Sequence, residues 1–536
     1  MNNIHPPVLI VGAGPAGLVA ALSLVQNGVR VRIIDKDPNP RIGQRGPGIW
    51  PRSLELFNFL NVPEVNDRGK LTPLIRSYKP GTLEPLGRNF GGPAYGSYPS
   101  GTIPPHQEKF SCSVEMGTEL LSFEQSDHGV TAVLAKNGIS ETFDTKWMIG
   151  ADGAKGVVRK QLGLMFLGET RDDAWIVTGD IRLKGVGLDR VYWHRFGNFH
   201  ERGISLRPTD EVGEDGWQFF IFGQKLDMTK IAQSEELLFQ TIDSLIPTEV
   251  TFNKLVWVSE LRTNIRMVNK FSEGRVFVAG DAAHVHSPTG GQGLNSSVQD
   301  TFNLGWKLAL VAKGLADKSL LETYNAERFP VISEMLNMTT SILNHAMKTG
   351  EMTSRRTPIL FMLGVNCRSS SIVLDEFVIP VEGKPINAYG VLDEGHLEAG
   401  DRAPDASNML QVGRGASDVK TLFSLYRPWY HTVLVFVPSL VDATPILGAL
   451  EAFDKSVVRL AVILPSSAPV TAVASPADHV FVDQESYAHL AYLVEANHTK
   501  VFVIRPDGVV GAIVHGAGGV KKYFSRIFCE SNVSRL

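Results

Sequence analysis

The feature that most constrains the fold of this chain is a glycine-rich turn between an aliphatic run and a helical stretch near its start. Val8–Val11 is wholly aliphatic, Gly-Ala-Gly-Pro-Ala-Gly follows at residues 12–17, and residues 18–27 have helical character. A second predicted strand, Val29 to Ile34, then ends at Asp35. A strand, a glycine turn, a helix, a second strand and a terminal acid in this order are typical of a dinucleotide-binding unit.

Each glycine of the turn has its own expected role. Gly12 permits the tight turn, Gly14 lets the backbone approach a pyrophosphate, and Gly17 lets the helix pack on the strand. The helix N-terminus offers N–H groups and a partial positive charge to phosphates, and Asp35 is placed to accept hydrogen bonds from ribose hydroxyls. The candidate contacts of this unit are Gly12, Ala13, Gly14, Pro15, Ala16, Gly17, Asp35 and Lys36.

The unit leaves two alternatives open. Such a turn can also join a strand to a helix without holding a ligand, and Asp35 can be an ordinary acid at the end of a strand. The unit alone does not distinguish FAD from NAD(P) as the nucleotide.

Composition and charge exclude several other classes of protein. The chain has 536 residues, 43% of them hydrophobic, which suffices for roughly two to four domains with large cores. Lysine and arginine total 52 against 56 acidic residues, so the net charge of −4 lacks the basic excess of a nucleic-acid-binding protein. Cys112, Cys367 and Cys529 form no CxxC or zinc-like pattern, so we expect no metal site and a reducing, cytoplasmic location.

The uncharged start of the chain resembles a membrane segment only at first sight. Residues 8–25 carry no charge, but they contain three glycines and a proline, and no lysine or arginine precedes them. A signal peptide or a membrane anchor has a different pattern. No later stretch is apolar for long enough to cross a bilayer, so we expect no membrane span.

Two further motifs place an acid in a turn directly after an apolar strand. Residues 147–150 are apolar and lead into Asp152-Gly153, after which a basic residue lies in a short helical stretch. Residues 276–279 lead in the same way into a Gly-Asp turn that ends at Asp281. Both turns repeat the pattern of a buried strand followed by a short acidic loop.

A glycine-rich segment follows the third turn. Residues 287–295 read Ser-Pro-Thr-Gly-Gly-Gln-Gly-Leu-Asn, and residues 296–313 read as a long helix. In this order and spacing, the three motifs resemble those of the flavin-dependent aromatic hydroxylases, which are single-component FAD monooxygenases (class A) of the p-hydroxybenzoate and phenol hydroxylase type. The resemblance covers residues 6 to about 335, up to a helix end at residues 324–330 (Tyr-Asn-Ala-Glu-Arg-Phe-Pro).

The resemblance assigns further cofactor contacts. It implies that Asp281 holds a ribityl hydroxyl of FAD, that backbone N–H groups of residues 291–295 face the flavin N1/C2=O edge, and that Pro288 lies beside the isoalloxazine ring. It ties Asp152 to both FAD and NADPH. The candidate contacts so implied are Asp152, Gly280, Asp281, Pro288, Gly291, Gln292, Gly293, Leu294 and Asn295. Arg45, just after the second strand, is a further candidate for the FAD phosphate or ribose, and the alternative for it is a solvated basic loop. Asp152 and Asp281 can instead simply cap the helices that follow them.

The chain departs from the family pattern at three places. Gly156 stands where the family usually has serine, and Pro47 stands where phenol hydroxylase has an acid. Residues 104–112 replace a family helix of a dozen or more residues, and two prolines leave room for barely two turns. We read the short segment as a deletion, and our hypothesis is that it leaves the FAD pocket partly open and lowers the affinity for FAD.

The middle of the chain alternates apolar and polar residues in short runs, as in an antiparallel sheet. Examples are residues 174–183 and 203–207 and the segment Gly216–Phe222. Aromatic residues are frequent there, which suits either an ordinary core or the wall of a pocket for an aromatic substrate. Tyr192, His194 and His200 are weak candidates to assist phenol deprotonation, and the catalytic base stays unknown.

The expected fold class is α/β. The resemblance implies a doubly wound, glutathione reductase-like FAD-binding domain at residues 1–165 and 266–371, which includes a helical extension. It also implies an interleaved antiparallel-sheet substrate domain at residues 166–265 and a linker at residues 372–399. Strands and helices alternate in residues 400–536, in an order that resembles the thioredoxin-like C-terminal domain of the phenol hydroxylase branch. Without CxxC this domain cannot do dithiol chemistry, so we expect a structural role, and a homodimer interface is left open.

The resemblance implies an FAD-dependent, NADPH- (or NADH-) consuming monooxygenase that uses O2 to hydroxylate a small phenolic or related aromatic substrate through a C4a-hydroperoxyflavin, in secondary metabolism. One alternative keeps the fold but performs epoxidation, Baeyer–Villiger insertion or oxidative decarboxylation. Another is a non-catalytic or FAD-deficient copy, marked by the short segment at residues 104–112.

Overall fold

The structure is a computed structural model, and it describes most of the chain. The described residues are 6–43, 46, 48–87, 96–97, 112–350, 358–379, 387–391, 395–412, 421–468 and 476–529. Arg45, Pro47 and the segment 104–112 lie outside them, so the hypothesis of a partly open FAD pocket stays a prediction.

The strands, in chain order, are β1 (Val8–Val11), β2 (Val31–Asp35), β3 (Lys70–Leu71), β4 (Leu74–Ser77), β5 (Gly96–Ser97), β6 (Val114–Met116), β7 (Thr118–Gln125), β8 (Val130–Lys136), β9 (Ile139–Thr145), β10 (Trp147–Gly150), β11 (Phe166–Gly185), β12 (Tyr192–Gly197), β13 (Gly203–Pro208), β14 (Gly216–Phe222), β15 (Val250–Val268), β16 (Ser272–Glu273), β17 (Val276–Val278), β18 (His284–Val285), β19 (Gly364–Val365), β20 (Leu374–Asp375), β21 (Tyr389–Gly390), β22 (Met409–Gln411), β23 (His431–Phe436), β24 (Val458–Pro465), β25 (His479–Asp483), β26 (Lys500–Ile504) and β27 (Val510–Val514).

The α-helices are α1 (Pro15–Gln26), α2 (Pro51–Phe59), α3 (Glu64–Arg68), α4 (Val157–Gln161), α5 (Met228–Gln233), α6 (Glu235–Leu245), α7 (Gly293–Ala312), α8 (Glu322–Thr349), α9 (Thr444–Leu450), α10 (Tyr487–Ala491) and α11 (Ala517–Phe524). Short 3-10 turns lie at Gly280–Ala282, Lys318–Leu321, Pro358–Phe361, Leu422–Leu425 and Leu440–Ala443.

The first sheet has the order β16-β17-β10-β1-β2-β6, and all its pairs except β16–β17 are parallel. Its central strands are aliphatic and fully buried, as expected for strands covered on both faces. Helix α1 packs along α7, and the meander β7-β8-β9 shares the same core. Because parallel strands end at one edge, the turns after β1, β2, β10 and β17 lie side by side.

The second sheet has the order β18-β15-β11-β14-β13-β12-β4. It is antiparallel except for the outer pair β12–β4, so Leu74–Ser77 joins it from within the range expected for the FAD-binding domain. Val177 and Ile181 of β11 pack in one core with helices α5 and α6. Since side chains alternate along a strand, Thr178 and Asp180 face the other side.

The third sheet has the order β20-β27-β26-β23-β24-β25-β22. Strands β23, β24 and β25 are parallel neighbours, and β26 and β27 form an antiparallel pair beside β23. Leu374–Asp375, which the sequence places in the linker, pairs with β27 at the edge of this sheet. The third sheet shares a continuous apolar core with α2 and α7.

One helix differs from the expectation. The sequence predicted a helix end at residues 324–330 and further helical character over residues 331–365, but α8 runs unbroken from Glu322 to Thr349 with Pro330 inside it. A proline removes one helical hydrogen bond and normally kinks or ends a helix. Here the apolar side chains of Val331, Ile332 and Met335 are buried in the core of the first sheet, and this packing holds the helix together beyond the proline.

Candidate functional site

The first glycine turn is built as the sequence predicted. Gly12 has a φ of +103°, and a Cβ there would collide with the carbonyl of Ala151. A Cβ on Gly17 would collide with the carbonyl of Gly12. By contrast, no described atom lies within 4 Å of the Cβ position of Gly14, the N-cap of α1. Packing therefore requires two of the glycines, and the third faces open space at a helix N-terminus, where an anion is favoured.

Asp35 ends β2 and ties the turn to it. Its carboxylate accepts the backbone N–H of Ala13 at 2.8 Å and that of Asp37 at 2.9 Å. Pro15 and Lys36 are exposed beside this edge of the sheet. Asp35 therefore has a local structural role, and its bond to a ribose stays a prediction.

Asp152 caps the short helix that follows it. Its Oδ2 accepts the N–H of Val158 at 3.0 Å, which is the capping alternative drawn from the sequence. Its Oδ1 is buried and has no hydrogen-bond partner among the described residues, and burial raises the pKa of the carboxyl. Because buried polar atoms usually have partners, this oxygen is free for a group beyond the described protein atoms.

Gly156, where the family usually has serine, lies directly against the side chain of Asp152. A Cβ on Gly156 would collide with the carboxyl group of Asp152, so the carboxylate occupies the space that a side chain there would need. Arg159 of α4 donates to the carbonyls of Ala282 at 3.0 Å and Ala154 at 2.7 Å. This guanidinium ties the second turn to the third.

Asp281 lies in the 3-10 turn after β17, at the edge where the strand-end turns meet. Its side chain is exposed, yet the surrounding protein raises the pKa of its carboxyl by desolvation. We infer from these two facts that Asp281 lines a concave part of the surface, which we call the cleft. Gly280 has a φ of +59°, and a Cβ there would lie 2.8 Å from Ser297 Oγ and 3.1 Å from Ala16 Cβ. The third turn therefore packs directly against the start of α1.

The loop before α7 is held from both sides, in part by Trp50 and Thr289, which the sequence analysis missed. The indole Nε1 of Trp50 donates to the carbonyls of Gly290 and Gly291, each at 3.0 Å. The backbone N–H of Trp50 donates to Asn295 Oδ1 at 2.7 Å, and Asn295 Nδ2 donates back to Gly291 O at 2.9 Å. The Asn295 side chain thus shapes the loop and is fully buried.

Gln292 and Thr289 anchor the other side of this loop. Gln292 Nε2 donates to Leu360 O at 3.2 Å, and its Oε1 accepts the hydroxyl of Tyr389. Thr289 Oγ1 donates to Thr339 O of α8 at 2.9 Å. With these side chains engaged, the backbone of the loop is the part that remains to contact a cofactor.

The rest of the predicted loop residues surround the open side. Pro288 and Gly291 are exposed, and Gly293 begins α7. Leu294 lies 3.6 Å from the Cβ position of Gly46, so the loop after β2 returns to the start of α7. The three turns and this loop therefore converge at one edge of the first sheet.

The arrangement fits FAD on three observations. Open space adjoins Gly14 at the N-terminus of α1, Asp152 has a buried oxygen without a partner among the described residues, and Asp281 is exposed although the surrounding protein desolvates its carboxyl. Backbone N–H groups at a helix N-terminus hold phosphates, and carboxylates accept bonds from hydroxyls. Within the described residues, no group of three or more His, Cys, Asp or Glu side chains is placed to hold a metal ion.

The second sheet adjoins the third turn and the loop after β2. Strand β18, which follows the third turn, pairs with β15, and a Cβ on Gly43 would collide with the Trp257 ring. Near the end of α8 an apolar cluster lies on this sheet. We call it the aromatic wall, and it comprises Ile176, Phe199, Phe220, Phe222 and Met347. Met347 lies about two turns along α8 from Thr339, an axial rise of roughly 12 Å, and Thr339 accepts a hydrogen bond from Thr289 of the loop that carries Pro288.

The weak candidates for phenol deprotonation do not gather at the cleft. His194 is fully buried and bonded on both ring nitrogens, to the Tyr78 hydroxyl at 2.6 Å and the Asp189 carbonyl at 2.8 Å. Burial lowers the pKa of His194. Tyr192 stacks under the Arg76 guanidinium, and His200 is exposed against the end of α8. Their positions give no support to a shared role in proton transfer.

Comparison with known proteins agrees with this geometry. The family model described as "FAD binding domain" matches residues 5–339. A flavin-dependent monooxygenase of Mycobacteroides abscessus is 32% identical over 97% of this chain and 99% of its own. The pentachlorophenol 4-monooxygenase of Sphingobium chlorophenolicum is 29% identical over 80% of this chain and 79% of its own.

None of the helices in the described residues is long and apolar enough to cross a membrane.

Solved structures share the fold over the whole chain. The flavin-dependent monooxygenase PieE in complex with FAD and substrate has a TM-score of 0.76 at 22% identity and covers 100% of both chains. Aklavinone-11 hydroxylase with FAD and aklavinone has a TM-score of 0.76 at 24% identity and covers 98% of this chain and 100% of its own. The chain belongs to the FAD-dependent aromatic monooxygenases, the class A flavoprotein hydroxylases.

Proposed function

We propose that this enzyme consumes NAD(P)H and O2 to hydroxylate a phenolic or related aromatic compound. The overall balance is aromatic C–H plus NAD(P)H, H+ and O2, giving the phenol, NAD(P)+ and water. The observation that carries the proposal is the meeting of the three strand-end turns at one edge of the first sheet, beside the second sheet that bears the aromatic wall. We infer a cleft between them, in which a cofactor site faces an apolar surface.

The residues of the cleft have binding and orienting roles. Gly14 and the N-terminus of α1 take the pyrophosphate, Asp281 accepts a ribityl hydroxyl, and the backbone before α7 donates to the flavin edge. Pro288 lines the open side, and the aromatic wall excludes water from the reacting ring. When bound, FAD supplies the redox and oxygen chemistry, which no side chain can supply. The proposal leaves the general base unassigned.

The named substrates of relatives support an aromatic substrate. Relatives are named as monooxygenases of pentachlorophenol and 2,4-dichlorophenol, and one solved neighbour binds aklavinone. Neighbours from biosynthesis support a role in secondary metabolism. No observation favours epoxidation, Baeyer–Villiger insertion or oxidative decarboxylation.

The domain roles are part of the same proposal. We assign the first sheet to FAD binding and the second to the substrate. The parallel β23–β24 pair beside the antiparallel β26–β27 pair supports a thioredoxin-like assignment for the third. A homodimer and a cytoplasmic location stay predictions.

The test is coupled turnover by the purified protein with added FAD. Oxidation of NADPH and of NADH is followed with and without each member of a panel that holds simple phenols, chlorophenols and polycyclic phenols. We expect at least one phenol to accelerate oxidation and to yield a product heavier by one oxygen atom. A panel that gives neither acceleration nor an oxygenated product contradicts the proposal, and product mass and regiochemistry separate the other oxygenation reactions.

A further inference from the structure

A turn of the third sheet reaches into the helices of the first. The turn, residues 505–508 between β26 and β27, places Arg505 and Asp507 against Lys307 of α7 and Glu327 of α8. Arg505 donates to both oxygens of Glu327 at 2.9 and 2.8 Å, and Lys307 Nζ donates to Glu327 at 2.8 Å. Their relative exposures are 1% for Arg505, 4% for Asp507, 0% for Lys307 and 2% for Glu327.

This buried cluster holds two cations and two carboxylates, so its charges balance. Burial opposes ionisation of Glu327, but Arg505 and Lys307 outweigh it and hold the pKa of this carboxyl well below its usual range. Asn303 and Trp306 of α7 also donate to Asp507, at 3.3 and 3.2 Å. Removal of one partner would leave a buried charge without compensation, which is strongly unfavourable. The third sheet is therefore attached to α7 by more than apolar contact.

The same turn also holds α2. Arg52 donates to the carbonyl of Asp507 at 2.8 Å. A Cβ on Gly508 would lie 2.5 Å from the Phe59 ring, so the turn packs closely on the end of this helix. The turn thus contacts α7 and α2 together.

Helices α2 and α7 meet again at the loop before α7, residues 287–292, which we call the cofactor loop. Trp50, directly before α2, is bonded to Asn295 in the first turn of α7 and to the carbonyl of Gly290. The two helices are thus joined at two places: at the cofactor loop through Trp50, and farther along both helices through the turn at residues 505–508. A shift of the turn would change the angle between the helices and move the loop.

We propose that the turn at residues 505–508 is a positioning element for the cofactor. It fixes α2 against α7, and through them it fixes the loop that contacts the flavin. The C-terminal part of the chain then sets the affinity for FAD without touching it. Arg505 and Asp507 are positioning residues, and the inference rests on the proposed FAD site.

The test compares two aspartate-to-asparagine variants in the same sheet. Asp507→Asn removes a charge from the cluster, whereas Asp478→Asn removes a carboxylate that accepts bonds from Arg459 at 3.0 Å and from the Leu460 N–H at 2.9 Å, both within the third sheet. A milder variant, Trp306→Phe, deletes the indole donor to Asp507 and leaves a small cavity in the core beside His431, but it keeps every charge of the cluster. For each apoprotein, the dissociation constant of FAD is measured from the quenching of flavin fluorescence, and the melting temperature is measured separately.

We expect Asp507→Asn to weaken FAD binding roughly tenfold and Trp306→Phe roughly threefold, with Asp478→Asn within about twofold of the wild type. If Asp507→Asn does not fold, Trp306→Phe against the wild type decides the matter. A lower melting temperature with an unchanged dissociation constant of FAD in Asp507→Asn would show that the contact is merely structural, and it would overturn the inference. If Asp507→Asn does not fold, the same result in Trp306→Phe would overturn it. A wild-type protein that binds no FAD would instead refute the FAD site itself, and the inference with it.

Discussion

The carboxylate of Asp300 accepts the backbone N–H of Gly280 at 3.1 Å, and this bond ties helix α7 to the turn that carries Asp281. The same carboxylate accepts from His284 Nε2 at 2.6 Å and from Arg328 Nε at 2.8 Å. Asp300 is fully buried, and its charged partners lower its pKa against the effect of burial. The third turn is therefore fixed by a fully engaged buried carboxylate.

Replacement of Asp300 by asparagine is expected to loosen this turn. Asparagine keeps the shape but leaves the buried Arg328 without its carboxylate, so the free energy of unfolding should fall by about 3 kcal/mol. FAD affinity should fall as well, because Asp281 lies in the same turn. Urea unfolding and flavin titration measure the two effects. Asp210→Asn, which breaks only exposed pairs with Lys70 and Arg190, is the control and should cost less than about 1 kcal/mol. Equal losses in both variants would contradict the role of Asp300.

The strand-end turns of this site could be predicted from the sequence, but the long-range hydrogen bonds that hold them in place could not. Strands β1, β10 and β17 of the first sheet are short apolar runs followed by turns that contain glycine, and such local patterns carry their own signal. Trp50 and Asn295 are 245 positions apart, and no periodicity links them. The helix through Pro330 likewise depends on tertiary packing, which overrides the local preference.

Trp50→Phe is expected to weaken the cofactor loop without unfolding the protein. Phenylalanine keeps most of the ring packing against Phe361 but removes the Nε1 donor to Gly290 and Gly291. Loss of hydrogen bonding worth about 1 kcal/mol predicts roughly fivefold weaker FAD binding. Equilibrium dialysis against FAD measures it, with Trp429→Phe in the C-terminal part as the matched control. Affinity equal to that of the control would show that the indole N–H does not shape the loop.

His431 is expected to make stability depend on pH. It is buried among the rings of Trp306, Tyr523, Phe524 and Phe528, and burial together with Arg505 lowers its pKa to about 3. The unfolded chain binds a proton near pH 6.5 and the folded chain does not, so stability falls as the pH drops from about 6.5 toward 3.

His431→Phe should remove this dependence. Between pH 7 and 4.5 the wild type should lose about 2 kcal/mol more than the variant, because other groups titrate equally in both. Urea unfolding at the two pH values gives the difference. Parallel losses in the two proteins would mean that His431 is already protonated in the fold or is not buried.

The central claim is that three strand-end turns hold one FAD, and Gly14 tests it most directly. Gly14 has a φ of −69°, which alanine also adopts, and no described atom lies within 4 Å of its Cβ position. Gly14→Ala should therefore fold with an unfolding free energy within about 1 kcal/mol of the wild type. Its methyl group would fill the space assigned to the pyrophosphate.

The measurement is the dissociation constant of FAD for Gly14→Ala beside Gly448→Ala, a control glycine that also faces open space, on α9. The account predicts at least a roughly tenfold loss of affinity in Gly14→Ala and none in Gly448→Ala. Wild-type affinity in Gly14→Ala would contradict it.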